Sequence, residues 1–142
     1  MITNKDLRVL RTLQRLAINA DPVAGAKVAS AISYKNMILA VSSNRRKSHP
    51  FQARFGKNEQ AIFLHAETGA IKLALNHIDK TQFPRTTLYV QRVKKLNSGS
   101  VVWQNGIACP CQGCMMAIEE FDIGRIVYST NNDNEYAELV RA

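Results

Sequence analysis

Two short stretches of the sequence hold residue types that do chemistry together. One is His65-Ala66-Glu67; the other is Pro110-Cys111-Gln112-Gly113-Cys114. Proline suits the first turn of a helix, so Cys111 and Cys114, three apart, are expected on one face of a helix start. The helix dipole and the unpaired N–H groups there favour thiolates. Two thiolates and one imidazole (Cys111, Cys114, His65) suit a borderline-soft cation such as Zn2+. Three protein ligands leave the fourth tetrahedral position open, as in catalytic rather than structural zinc sites. Glu67, two residues after His65, can reach the same pocket without ligating. A carboxylate there can accept a proton from an acidified water and pass it on. A closed structural site with Cys109 as fourth ligand is the rival reading. Cys109 and Cys111 flank a proline, which makes joint ligation awkward, and Cys109 alone reads as a small buried residue.

The elements that must position these residues follow from periodicity. Asn4 to Ala20 has a helical period, with Leu10, Leu13, Leu16, Ala17 and Ala20 on one face and Lys5, Arg8, Arg11 and Arg15 beside it. Thr3 or Asn4 caps its start. Lys27 to Ser33 and Met37 to Ser43 read as strands joined by a tight turn at Tyr34-Lys35-Asn36. Ser42 to Asn58 is a polar, basic loop of a length often tied to function. Ala61 to Ile78 is helical, Thr87 to Val93 a strand, and Val101 to Trp103 a short extended piece. A helix over Pro110 to Phe121, a strand over Arg125 to Ser129 and a final helix over Asp133 to Val140 complete the order. Helices alternating with strands after a hairpin predict a mixed sheet with helices packed on it. Trp103 and Tyr128 read as core aromatics rather than as platforms for a ring, and His49 and His77 have no motif.

With 142 residues, 46% apolar and 21% charged, the chain is expected to be a single domain over 1–142 with a sizeable core. Disorder, collagen and low-complexity classes are excluded. No apolar run is long enough for a membrane span, and the first residues do not read as a signal peptide. The three cysteines lie between positions 109 and 114, which suits a metal or reactive thiol in a reducing compartment, and a cytoplasmic protein is expected. The net charge of +8 draws the chain to polyanions, phosphates on nucleotides or nucleic acid among them.

His-x-Glu followed by Pro-Cys-x-x-Cys is the signature of zinc-dependent nucleobase deaminases. On these residues the chain resembles the cytidine deaminase-like superfamily, above all its deoxycytidylate deaminase branch and small phage-encoded relatives. The resemblance runs from about Ala26 to Thr130 and includes Met37–Asn44, His65–Ile71, Pro110–Ile118 and Arg125–Ser129. It implies a three-layer α/β/α fold with a central five-stranded mixed sheet. It also implies His65, Cys111 and Cys114 as zinc ligands, Glu67 as proton shuttle, and the backbone around Ala66 against the base. Asn44 resembles the asparagine that contacts substrate in several branches. Arg45, Arg46 and Lys47 stand where the deoxycytidylate branch usually has a glycine-containing loop, and Arg45 is the candidate for a substrate phosphate. The implied activity is hydrolysis of a cytosine nucleotide, deoxycytidylate first, to the uracil nucleotide and ammonia, by a homo-oligomer. The alternative is a deaminase of cytosine or adenine in single-stranded DNA or RNA, which the basic helix stripe, the basic loop and the net charge favour. A zinc-stabilised binding module without activity is the third reading.

Overall fold

The computed structural model describes residues 2–19, 27–43, 66–95, 103–108, 112–133 and 135–140. Helix α1 spans Asn4–Ile18. It starts with a capping box: the Asp6 N–H donates to the Thr3 hydroxyl at 3.2 Å, and the Thr3 N–H donates to the Asp6 carboxylate at 2.9 Å. Leu10, Leu13 and Ala17 are buried as the period predicts. Leu16 is not; it is exposed, because it lies at the flank of the stripe rather than under it.

Strands β1 (Lys27–Tyr34) and β2 (Met37–Ser43) form the expected hairpin. Lys35 and Asn36 both adopt positive φ at its turn, the geometry that matches the right-handed twist of two strands. Helix α2 covers Ala66–Ala74, followed by a 3₁₀ helix over Lys80–Arg85. Strand β3 is Thr87–Lys95 and β4 is Trp103–Gly106. Helix α3 is Gln112–Phe121, and β5 is Arg125–Ser129.

The predicted final helix is instead a strand, β6, over Tyr136–Val140. It pairs antiparallel with β5, Ser129 opposite Tyr136 and Arg125 opposite Val140. The turn before it is closed locally: the Thr130 N–H donates to the Glu135 carbonyl, and the Asn132 amide donates to the Glu135 carboxylate at 2.6 Å. A free sheet edge beside a tight turn outweighs the weak helical preference of Tyr136-Ala-Glu-Leu-Val140.

Among the described residues the sheet has six strands rather than five, in the order β2-β1-β3-β5-β6, with β4 paired to β3. Only β3 and β5 run parallel side by side; the other neighbours are antiparallel. Alternate residues face two separate cores. Ala29, Ala31, Tyr89, Val93 and Val127 pack under α1. Ile32, Leu88, Val90 and Ile126 pack under α2 and α3, with Ala70, Ile71, Ala117 and Ile118. The result is three layers: α1 on one face, the sheet, and α2 with α3 on the other.

Two close fits hold the second layer. Phe83 of the 3₁₀ helix meets Phe121 at the end of α3, ring centroids 5.3 Å apart. Gly124, just before β5, passes so close to Pro84 that a Cβ would sit 2.1 Å from its carbonyl oxygen.

Candidate active site

Helices α2 and α3 both start at one end of the sheet. β2 runs parallel to β3, since each is antiparallel to β1, and β3 runs parallel to β5. β2-α2-β3 and β3-α3-β5 are therefore two crossover units whose helices return along the same face. Their N-termini lie at the carboxyl ends of the parallel strands, where open α/β sheets hold their ligands. The end of α3 lies against the 3₁₀ helix that leads into β3, as this direction requires. α2 and α3 also pack against one another.

Ala66 opens α2 and is fully buried. Glu67 follows in the same first turn and keeps only 7% of its surface exposed. A helix N-terminus is where a buried carboxylate is best tolerated, because the dipole and free N–H groups favour its charge. Cys114 lies in the first turn of α3, its surface wholly buried. Thr68, Gly69 and Ala70 are also buried, so small residues let α2 press onto the sheet.

His65 and Cys111 adjoin these helix starts in sequence but lie outside the described residues, as do Cys109, Asn44, Arg45, Arg46 and Lys47. Asn44 directly follows the last residue of β2. Among the described residues alone, no three His, Cys, Asp or Glu side chains gather. By donor type the described residues suit zinc: Cys114 offers a buried soft sulfur and Glu67 a buried carboxylate, each in the first turn of its helix.

Sequence reasoning missed the polar residues that fix the approach to the cysteine helix. The Ser129 hydroxyl donates to the Gly106 carbonyl at 2.7 Å and accepts from the Arg92 N–H at 3.0 Å. The Asn131 side chain accepts from the Ile107 N–H at 2.9 Å, and Asp133 accepts from the Asn105 N–H at 2.8 Å. The Ala108 N–H donates to the Ser129 carbonyl. The chain entering Cys109-Pro110-Cys111 is thus tied residue by residue to the end of β5. Ser30 and Ser42 were also missed. They are cross-strand partners, both buried, on the face that α2 covers, and the Ser30 hydroxyl makes no hydrogen bond.

The basic stripe lies elsewhere. Arg8, Arg11 and Arg15 are exposed on α1, across the sheet from α2 and α3. Trp103 packs against the α1 core with Lys27 and Lys95 over its ring, and Tyr128 packs against the other core. Among the described residues no helix is long and apolar enough to cross a membrane.

A mixed sheet between helical layers defines a three-layer α/β/α domain. Comparison with known proteins narrows the class. Residues 3–130 match the family described as the cytidine and deoxycytidylate deaminase zinc-binding region, and the chain belongs to that family. Among solved structures, the fold is similar to a cytidine deaminase from Burkholderia pseudomallei. That match has a TM-score of 0.63 and 14% identity and covers 98% of this chain and 93% of that one. It is also similar to the dCMP deaminase of cyanophage S-TIM5 in complex with dCMP and dUMP, with a TM-score of 0.59 and 15% identity over 90% and 82% of the two chains. The apo form of that phage enzyme gives a TM-score of 0.58 with 16% identity, over 95% and 88%. No curated protein matches by sequence.

Proposed function

We propose that the chain is a zinc-dependent hydrolytic deaminase that converts a cytosine nucleotide, deoxycytidylate first, to the uracil nucleotide with release of ammonia. The observation that carries this reading is the burial of Glu67 and Cys114, each in the first turn of its helix, inside the stretch that matches the deaminase family. The phage relative with dCMP and dUMP bound supports the choice of substrate, since those two differ by one such hydrolysis.

In this reading His65, Cys111 and Cys114 hold the metal. Zinc, when bound, supplies a water acidified toward neutral pH as nucleophile. Glu67 accepts a proton from the attacking water as the water oxygen bonds to the carbon bearing the exocyclic amine, and delivers that proton to the ring nitrogen. It then takes the proton of the new hydroxyl and passes it to the departing amine, so that the C–N bond breaks as the carbonyl forms. Water is consumed, ammonia leaves and the ring carries a carbonyl. Burial of Glu67 keeps bulk water from competing for these protons. The backbone around Ala66, at the open end of α2, orients the base. Asn44 bonds the sugar or base edge, and Arg45 meets the phosphate.

The alternative, a deaminase of single-stranded DNA or RNA, drew its support from the α1 stripe, the basic loop at Arg45-Arg46-Lys47 and the net charge. That stripe is on the opposite sheet face, which favours the free nucleotide. A substrate panel read by mass spectrometry tests the proposal. Cytidine, deoxycytidine, their mono- and triphosphates, the adenine counterparts and one oligonucleotide would each meet the purified protein, with Glu67→Ala as control. Uracil formed from deoxycytidylate, and none from the control, is expected. Conversion in the oligonucleotide alone would overturn the choice of substrate.

A further inference from the structure

Helix α1 packs on β1 and β3 and leaves the neighbouring edge strand β2 uncovered on its side. The gap is a groove of about 210 Å³ lined by Arg8, Val9, Thr12, Leu13, Ile38 and Val41 at its walls and Ala31 at its floor. Its lining is almost wholly aliphatic. Ile38 and Val41 are 43% and 41% exposed, and Leu16, on the same flank of α1, is 43% exposed. The alternation that buries Ala31 under α1 directs its cross-strand partner Val41 to the same face, where no described residue covers it. Contiguous exposed aliphatic surface of this kind marks an interaction site.

Charge narrows the occupant. Arg8 stands in the groove wall, and Arg11 and Arg15 continue the exposed stripe along α1. None of the three forms an ion pair with a described residue. Over the described parts of α1, β1 and β2 the single acidic residue is Asp6, which is buried and bound by Arg125. An aliphatic trough with an arginine rim and no acid of its own complements a segment with aliphatic anchors and carboxylates. A second copy meeting the same face would bring arginine against arginine. Single-stranded nucleic acid would seek aromatic platforms, and the groove has none.

We propose that the groove between α1 and β2 docks an acidic amphipathic helix of a partner protein, laid on β2 beside α1. Its apolar residues, at the spacing of one helix face, fill the trough over Ile38 and Val41, and its carboxylates meet Arg8 in the groove wall and Arg15 two turns along α1. The surface is on the opposite side of the sheet from Glu67 and Cys114, so docking and turnover proceed independently.

A display library of random peptides, selected on the immobilised full-length protein, tests this. Peptides that combine Asp or Glu with Leu, Ile or Phe at helical spacing are expected to be enriched. Their affinity should fall about tenfold or more in Val41→Asp and, separately, in Arg8→Glu/Arg15→Glu. Both variants change exposed side chains, and their melting temperatures and deaminase rates should match the parent. Enrichment without acidic residues, binding that neither variant weakens, or no enrichment would overturn the proposal. So would self-association in sedimentation velocity that Val41→Asp abolishes, which would make a second copy the occupant. Retention of an oligothymidylate that Arg8→Glu/Arg15→Glu abolishes and Val41→Asp leaves intact would assign the face to nucleic acid instead.

Discussion

Glu67 and Cys114 divide the proposed work between proton transfer and metal holding, and the two roles predict different failures. Glu67→Ala should lower turnover by at least about 10²-fold, while the zinc content of the purified protein, read by atomic emission, stays that of the parent. Cys114→Ala should lose zinc and activity together. Zinc retained at full occupancy in that variant would remove Cys114 from the ligand set. A second cluster of charge concerns stability. Asp6 is buried, accepts from Tyr89 Oη at 2.5 Å and is bridged by the Arg125 guanidinium at 2.7 and 3.1 Å. Burial alone would raise its pKa, but Arg125, Tyr89 and the Thr3 N–H together hold it far below the usual carboxylate range. Its stabilisation is therefore full above that usual range and lost as pH falls through the depressed folded value. Tyr89 is pushed up to about 12 by burial and by its bond to Asp6, so its contribution is present below the ordinary phenol range and lost as pH rises through about 12. Asp6→Ala leaves the Arg125 guanidinium with Glu138 as a remaining partner at 2.9 Å and should cost about 1–3 kcal/mol in urea unfolding at neutral pH. Tyr89→Phe should cost about 1 kcal/mol and remove this alkaline loss of stability.

At the scale of elements, the sequence was clearest where one physical signal acted alone. The 3.6-residue period of α1 and the apolar runs and tight turn of the β1–β2 hairpin were read directly, as was the helix that holds Cys114; the helix that holds Glu67 was expected to reach Ile78 and ends at Ala74. The last element was misread because Ala137, Glu138 and Leu139 suit a helix, and pairing with β5 overrode that preference. The anchors Ser129, Asn131 and Asp133 were invisible for a different reason. Polar residues around a turn look like solvated loop until the strand they cap is known to lie beside β4. Asp6 was assigned no role from the sequence, since its bond to Arg125 depends on contacts that no local pattern records. Gly124 carries a prediction at this scale. Its missing Cβ lets the chain turn against Pro84, so Gly124→Ala must push β5 or the 3₁₀ helix aside. A loss of about 1–3 kcal/mol is expected in thermal or urea unfolding, and an unchanged midpoint would show that the turn yields freely.

Across the whole molecule, the sheet separates two surfaces that composition alone merges into a single positive charge. Turnover of a free nucleotide should be unchanged in Arg8→Glu, Arg11→Glu and Arg15→Glu at low salt, because the stripe faces away from the α2 and α3 starts. A rise in KM in those variants would bring the stripe back to the substrate. The bond between Asp6 and Arg125 has a consequence in time as well as in space. Its partners are 119 positions apart, so the first helix is made long before the guanidinium that neutralises its buried acid. At synthesis rates of about 5–20 residues per second, the nascent chain spends seconds with that carboxylate unmatched. The α1 layer can therefore close fully over the sheet only after β5 has emerged, and vectorial folding of this chain ends where its sequence begins.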